Sequence, residues 1–333
     1  MDHRRSQWLE KVHVQVVTVG ALLAVYLLLA PHLRGWDPQA SPVAFLAEGA
    51  WARLAVFAAA VWLLAALMAV MTVGVRPEGA LLATLIGAGG VSLGSPRIQA
   101  LLWRRTGHWG GMYLQLAAEM LVLLVVLVGV VAIIATVRRL IGRVRPGWLW
   151  RDPLAGARDH GAADVKGPAP AGAPAGLLAA LAGLHRSAGE QPACLRAALG
   201  RAAVCGALGT ALSAAAVLVL LRSPLRGQVL FAVFAGTTLA YFVAHQAFPS
   251  KLRIAAWGGP ILLAVAFYAL AAWASAGLGP EPGPQTWTRL PLYGRPLPVD
   301  WLTAGCGGAL LGTWFSARLH EMRHHEKQQT EQE

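Results

Sequence analysis

Glu119 is the only acidic residue inside the long apolar runs of this sequence. It lies about 10 Å along its run, counted from Met112 at a helical rise of about 1.5 Å per residue. Gln115 precedes it by one turn, and His108 and Met112 continue the same helical spacing. Carboxyl groups at membrane depth are costly and commonly serve in proton relays, cation sites or buried pairs. Glu119, Gln115 and His108 are therefore candidates for a ligand or proton site, the alternative being a hydrogen-bonded Glu119 that locks helix packing.

The segment HEMRH, residues 320–324, fits the pattern H-E-x-x-H. On a helix this pattern places His320 and His324 on one face to bind zinc, with Glu321 as general base. It resembles the zinc metalloprotease signature over these positions alone. A catalytic zinc needs a third protein ligand, and only the nine residues HEKQQTEQE follow. We expect adventitious metal binding by His320, His324 and His325 at most, and a membrane zinc metalloprotease is the remote alternative.

The remaining sequence contains no other catalytic or cofactor motif. There is no phosphate-binding loop, dinucleotide fingerprint or nucleophile elbow. The three cysteines form no C-x-x-C pair. We therefore predict no cofactor and no catalytic residue.

Composition places the chain in a membrane. Of its 333 residues, 56% are hydrophobic and only 13% are charged, against about 25% charged in soluble domains. The net charge of +12 does not indicate nucleic acid, because the arginines stand at the ends of apolar runs, where they meet lipid head groups. The predicted partner is therefore the lipid bilayer, and nucleic acid is excluded.

Apolar runs long enough to cross a bilayer recur along the chain. Seven are unambiguous: 14–30, 51–75, 112–137, 202–221, 227–248, 254–277 and 301–317. The eighth, 80–95, has 16 residues and would be only about 24 Å long as a helix.

Charge decides whether 80–95 crosses. If it does and the N-terminus is cytoplasmic, 19 of the 28 Lys and Arg lie inside; if it does not, only 11 do. Basic residues beside membrane helices remain on the cytoplasmic side. We therefore predict an all-α polytopic bundle of eight spans in the cytoplasmic (inner) membrane, with both termini in the cytoplasm.

The third span is unusual in its glycine content: Gly87, Gly89, Gly90 and Gly94. Glycine inside a helix costs about 1 kcal/mol relative to alanine, and short, glycine-interrupted spans can mark transport sites. One interpretation is a helix broken in its second half beside a ligand site. The other is a thin helix that packs closely against its neighbours.

Small residues also recur at every fourth position on three later spans. The glycines in these stripes are Gly206, Gly236, Gly308 and Gly312. Such stripes let helix backbones approach within a bilayer. We assign them to helix packing inside the bundle, with a homo-oligomer contact on the last span as an alternative.

The chain divides into a 4+4 arrangement. Residues 1–137 form the first membrane half and 201–318 the second, and 319–333 form a charged cytoplasmic tail. Between the halves, 138–200 contains the Pro/Ala/Gly tract GPAPAGAPA and reads as a cytoplasmic linker with short surface helices. A Pro-rich loop, 278–300, precedes the last span. It predicts an extended hairpin on the outer surface that turns near Tyr293 and Gly294, with Trp301 in the interfacial aromatic belt.

Three function classes follow from these residues. The first is a non-catalytic membrane subunit or scaffold, bound to a membrane-protein partner or to copies of itself. The second is a carrier of a small solute or ion that uses Glu119 and the glycine-rich third span. The third is an enzyme that depends on the HEMRH segment. The scarcity of polar groups within the spans favours the first class.

Overall fold

The protein is all-helical in the computed structural model. The described residues contain no β-strand. They are 2–34, 42–75, 77–96, 98, 101–102, 108–145, 192–250, 254–278 and 290–330. The greater part of the predicted linker, residues 146–191, and part of the Pro-rich loop, 279–289, lie outside the described residues, as do 331–333.

Four long helices precede the segment 146–191, and we call them the first half. Helix α1 comprises Asp2–Ala24, a π-helical segment Val25–Leu29 and a last turn Ala30–Leu33. The others are α2 (Trp51–Met71), α3 (Pro77–Gly94) and α4 (Trp109–Val144). Proline is favoured in the first turn of a helix because its missing N–H needs no partner there, and Pro77 starts α3 in this way.

Four more long helices form the second half. They are α5 (Pro192–Leu220), α6 (Arg226–Ala247), α7 (Ile254–Ser275) and α8. Helix α8 comprises the turn Pro298–Asp300, a π-helical segment Trp301–Gly305 and Cys306–Thr330.

Six of these helices are long and apolar enough to cross a membrane: Val12–Leu33, Trp51–Met71, Trp109–Val144, Leu199–Leu220, Arg226–Ala247 and Ile254–Ser275. The third predicted span corresponds to a shorter apolar helix, Glu78–Gly94. The eighth corresponds to α8, whose carboxyl-terminal half is polar. The described part of the chain is therefore that of a helical membrane protein, with six membrane-capable helices and two shorter or less apolar ones.

Contacts along α1 fix the directions of α2 and α3. Arg53 Nη1 of α2 donates to Leu33 O at 3.2 Å, and His13 Nε2 lies 2.8 Å from Met71 O, so α1 and α2 are antiparallel. A Cβ built on Gly79 would lie 3.5 Å from the Val14 side chain.

At the other end of α3, a Cβ on Gly94 would lie 2.8 Å from Ala30 Cβ. Helix α3 therefore runs parallel to α1 from beside Val14 to beside Ala30. It does not turn back, and it extends alongside most of the first membrane-capable helix, Val12–Leu33.

Helix α4 runs parallel to α2. Trp62 Nε1 donates to Val126 O at 3.0 Å. Further along both helices, Arg138 donates to the carbonyls of Thr72, Val73 and Val75 at 3.1, 3.1 and 2.7 Å. The guanidinium thus binds three carbonyls of the turn that follows α2, and one of them, Thr72 O, also accepts the Val75 N–H at 3.0 Å.

The second half has the same up-and-down order. Gln228 Nε2 donates to Leu220 O across the α5–α6 turn. Arg226 binds Asp300 at one end of α6, and His245 Nδ1 lies 2.8 Å from Ser316 Oγ at the other. Helices α6 and α8 are therefore parallel.

The bundle thus has two ends. We call the end that holds Arg34, residues 42–50, Gly94 and Asp300 the loop end. We call the end that holds His13, Met71, Arg138 and Ser316 the tail end, because α1 begins and α8 ends on that side.

Of the two interpretations of the glycine-rich third span, the structure agrees with the closely packed helix: α3 is continuous over Pro77–Gly94 and is not broken by its glycines. The described part of the Pro-rich loop turns near Tyr293 and Gly294, where the hairpin turn was expected, but as a 3₁₀ turn, Leu292–Gly294, followed by the helical turn Pro298–Asp300 rather than by an extended arm. Trp301 is fully buried rather than interfacial, because it begins a helix that is packed inside the bundle.

Candidate functional site

Glu119 lies on the buried face of α4 with none of its surface exposed. Its Oε2 accepts a hydrogen bond from the Leu46 backbone N–H at 2.8 Å. The backbone N–H groups of Phe45 and Ala47 also interact with the carboxylate. These three N–H groups begin a helical turn, where they have no partner within the turn. Glu119 therefore caps this turn from another helix, as a capping side chain does locally.

The capped turn belongs to the loop between α1 and α2. Residues 45–49 are a turn that ends at Gly49, whose φ of +67° favours glycine. Val43, Phe45 and Ala47 are buried, and the Phe45 ring packs 5.3 Å from that of Phe57. This loop, residues 42–50, therefore folds back into the loop end of the bundle.

Two further contacts fasten the 42–50 loop. Ser95 Oγ, just after α3, accepts the Val43 N–H at 2.9 Å. The Glu48 carboxylate pairs with Arg53 at 2.7 Å. The loop is thus attached to α2, α3 and α4 together.

The other two predicted polar residues do not join Glu119. Gln115 and His108 are both exposed, whereas Met112 is buried. Helical positions rotate by about 100° per residue, so Glu119 lies near the edge of the buried face and Gln115 just beyond it. The predicted four-residue series does not form one polar face.

The glycines of α3 also lie apart from Glu119. A Cβ on Gly87 would approach Ala21 Cβ to 2.8 Å, and one on Gly90 would approach Leu22 O and Tyr26 N, both to 2.6 Å. Gly89 faces Thr303 of α8, where a Cβ would lie at 3.8 Å. These glycines let α3 approach α1 and α8, including the π-helical segment of each.

The packing glycines of the second half lie at helix contacts. A Cβ on Gly308 would approach Phe234 O to 2.6 Å, and one on Gly312 would approach Phe242 N to 2.9 Å. A Cβ on Gly236 would lie 3.0 Å from the Val217 side chain, and one on Gly206 would lie 3.5 Å from Ala255 Cβ. The first two line the α6–α8 contact, and the other two line α5.

The strongest polar contact is one that sequence reasoning missed. Arg226 Nη1 donates to Asp300 Oδ2 at 2.6 Å, and Nη2 donates to Oδ1. Its Nε and Nη2 also donate to Ser92 O of α3 at 3.0 and 2.8 Å. Asp300 is fully buried, and its Oδ2 accepts the Leu297 N–H at 2.7 Å. One guanidinium thus joins α3, α6 and α8.

A sequence signal for this pair did exist. Asp300 is an acidic residue in the first turn of a helix after proline, which is a favoured place for a carboxylate. Arg226 directly precedes the apolar run 227–248. Nothing in the sequence connects the two, because they are 74 positions apart.

Tyr268 of α7 is fully buried. Its hydroxyl donates to Pro296 O at 2.7 Å. It also interacts electrostatically with Asp300, Glu119 and Tyr113. In the loop beside it, partial burial lowers the pKa of Arg295, and the neighbouring Tyr113 opposes this shift.

The HEMRH segment continues α8 at the tail end. The His320 ring lies 6.2 Å from that of His245, whose two nitrogens already contact Ser316 Oγ and Ser250 O. The side chains of His324 and His325 lie outside the described residues. Within the described part of the chain, no three His, Cys, Asp or Glu side chains come together as a metal site.

No protein family model matches this chain, and neither the curated proteins nor the solved structures include a match. The case for function therefore depends on the geometry alone. In that geometry, Glu119, Asp300, Arg226 and Arg138 each hold a helix end or a loop.

Proposed function

We propose that this chain is a non-catalytic subunit or scaffold of the cytoplasmic membrane, with eight spans and both termini in the cytoplasm. The observation that carries the proposal is the position of Glu119. The only acidic side chain within the apolar runs binds the backbone of a buried loop. A carrier site would instead turn that carboxylate toward its cargo.

The separation of Glu119 from the glycine-rich helix supports the same conclusion. The carrier hypothesis needs Glu119 and the α3 glycines around one polar site. Gly87 and Gly90 are instead covered by α1, while Glu119 faces the 42–50 loop. The two features therefore serve separate packing contacts.

The register of α3 supports the proposed eight spans. This helix follows α1 from Val14 to Ala30, and α8 descends beside α6 from Asp300 to Ser316. If α1 and α6 cross the bilayer, α3 and α8 cross with them. Counting basic residues then places both chain termini in the cytoplasm.

A topology experiment tests the span count. We expect a reporter that is active only outside the cytoplasm to be active when fused after Pro96, between α3 and α4. The same reporter fused after Val75, before α3, should be inactive and serves as the control. Activity after Val75, or none after Pro96, would contradict the proposed topology.

A reconstitution experiment tests the absence of transport. Purified protein in liposomes should pass protons and potassium ions no faster than protein-free liposomes, and Glu119→Gln should behave identically. Gln115→Ala, on the exposed side of the same helix, is the matched control. Flux by the wild type and by Gln115→Ala that is lost in Glu119→Gln would establish the carrier instead.

A second measurement tests the positive part of the proposal. In native membranes, cross-linking followed by sizing should place the chain in a species larger than the monomer, with a second polypeptide or a second copy in fixed ratio. A chain that stays monomeric at every cross-linker concentration would contradict a subunit or scaffold role.

A further inference from the structure

The carboxyl-terminal end of α4 extends past its neighbour α2 at the tail end. Arg138 of α4 donates to Thr72 O, and Thr72 directly follows the last residue of α2. Helix α4 continues to Val144, so residues 139–144 extend about 9 Å beyond that contact.

The length of α2 places this extension relative to the lipid. Helix α2 has 21 residues and is about 32 Å long, which matches a hydrocarbon core of about 30 Å. Its first residue, Trp51, is 63% exposed at the loop end, as is typical of a tryptophan at the membrane interface. The end of α2 therefore marks the opposite interface, and the extension of α4 lies at the depth of the lipid head groups there.

The extension carries basic and apolar side chains on adjacent faces. Arg139 and Arg143 are both exposed and lie one helical turn apart. Leu140 and Val144, also one turn apart, are 53% and 79% exposed. Arg138 binds the turn after α2 and thereby fixes the rotation of α4, which leaves the other four side chains on the outside of the bundle. We call these four residues the α4 lipid face.

Charge selects an anionic partner for this face. Residues 138–145, RRLIGRVR, contain four arginines and no acidic residue. A guanidinium binds a phosphate group through two parallel hydrogen bonds. Leu140 and Val144 select further, because a free phosphate ion would leave them uncovered whereas an acyl chain would cover them. At head-group depth, the ligand with both an anionic and an apolar part is an anionic phospholipid.

We propose that the α4 lipid face binds an anionic phospholipid in the leaflet at the tail end. Arg139 and Arg143 bind the phosphate of the head group, and Leu140 and Val144 contact an acyl chain. The proposal does not depend on the scaffold function, because a carrier with the same helix would hold the same lipid. It is narrower than a general attraction of arginines to membranes, since it requires this face and excludes the exposed arginine at the loop end.

Lipid binding to the intact purified chain tests the proposal. The chain in detergent is titrated with phosphatidylglycerol or with phosphatidylcholine of identical acyl chains, and the bound lipid is counted by native mass spectrometry. We expect phosphatidylglycerol to bind several-fold more tightly. Equal affinities for the two lipids would overturn the proposal.

A matched pair of substitutions locates the site. Arg143→Gln should weaken phosphatidylglycerol binding about fivefold, which corresponds to about 1 kcal/mol for one basic residue near an anionic surface. Arg222 is exposed at the loop end, and Arg222→Gln removes the same charge there without an expected effect. Equal losses in the two variants would show that net charge alone attracts the lipid and would contradict a site on α4.

A second substitution distinguishes a lipid from a soluble anion. The double variant Leu140→Ser/Val144→Ser keeps every arginine and should weaken phosphatidylglycerol binding several-fold, because the acyl chain loses its contact. An excess of inorganic phosphate should not displace the lipid from the wild type. Unchanged binding in the double variant, or displacement by inorganic phosphate or polyglutamate, would assign the face to a soluble anion or an acidic protein and overturn the lipid site.

Discussion

The two halves have a similar layout, but different groups bind the buried carboxylate of each. Each half contains a parallel helix pair in close glycine contact, α1 with α3 and α6 with α8. Each also has one fully buried carboxylate near the loop end, Glu119 in the first half and Asp300 in the second. Glu119 is bound by neutral backbone amides, whereas Asp300 is bound by a guanidinium.

Glu119 stands out in the sequence because it lies inside an apolar run, whereas Asp300 does not. We nevertheless expect stability to depend more on the contacts of Asp300. Hydrogen bonds from backbone amides contribute modestly, because water offers similar bonds in the unfolded chain. A buried ion pair is different: losing one partner leaves the other charge buried without compensation. The comparison predicts unequal responses to substitution in the two halves.

The largest effect is expected at Arg226. Arg226→Met leaves Asp300 charged and buried and also releases Ser92 O. We expect a loss of about 3–5 kcal/mol in the free energy of unfolding, seen as a lower unfolding midpoint in detergent. The double variant Arg226→Met/Asp300→Asn should recover a large part of this loss, because no charge remains buried. Additive losses in the double variant would show that the ion pair is not the reason.

Glycine substitutions compare the helix contacts of the two halves. Gly90→Ala and Gly308→Ala each place a Cβ 2.6 Å from a backbone carbonyl oxygen, of Leu22 and Phe234 respectively. Overpacking of this kind costs about 1–3 kcal/mol, and both variants should unfold at lower temperature.

Gly20→Ala is the control for these variants, because a Cβ there meets nothing within 4 Å. It should leave stability unchanged or raise it by up to about 1 kcal/mol through helix propensity. Equal behaviour of all three variants would contradict close packing at both contacts.

Removal of the Glu119 cap should have a smaller effect than the loss of Arg226. Glu119→Ala is expected to destabilise the fold by about 1–2 kcal/mol, the usual cost of losing a capping side chain. Glu119→Gln should cost less, since its amide oxygen can still accept the Leu46 N–H. Gln115→Ala should change stability by less than about 0.5 kcal/mol. A loss at Glu119→Ala as large as that at Arg226→Met would remove the distinction between the two halves.

The smallest effect is expected at Arg53. Its pair with Glu48 is only partly open to solvent, with 26% of the Arg53 side chain and 8% of the Glu48 side chain exposed. Solvent-exposed pairs contribute about 0–1 kcal/mol and weaken with salt, and the burial of Glu48 places this pair toward the upper end of that range. Arg53→Ala should therefore shift the unfolding midpoint slightly, and the shift should diminish in high salt. A large, salt-independent loss would show that the bond from Arg53 to Leu33 O dominates instead.

Much of the helical layout could be predicted because hydropathy is a local property. Each of the eight apolar runs, 80–95 included, falls within or largely overlaps one of the helices α1–α8. The sequence left open whether α3 is continuous, because hydropathy does not show what packs against its glycines. Glycine lowers helix propensity in isolation, but the close contact with α1 compensates at Gly87 and Gly90.

The sequence predicted Glu119 as a site residue but not the groups that bind it. Glu119 stands out because a carboxylate in an apolar run is rare, but its partner is a backbone N–H from a loop 73 positions earlier. A backbone amide carries no side-chain signature. Asp300 and Arg226 did not stand out, since charges at the ends of apolar runs are ordinary.

The sequence by itself determined that this chain is a bundle of apolar helices, since the length and hydropathy of each run are properties of neighbouring residues. Only the tertiary structure decided which polar groups meet, because Glu119 and Leu46, or Arg226 and Asp300, come together through the packing of helices distant in sequence. Burial then makes these contacts matter, as each group that leaves water must find its hydrogen bonds within the protein.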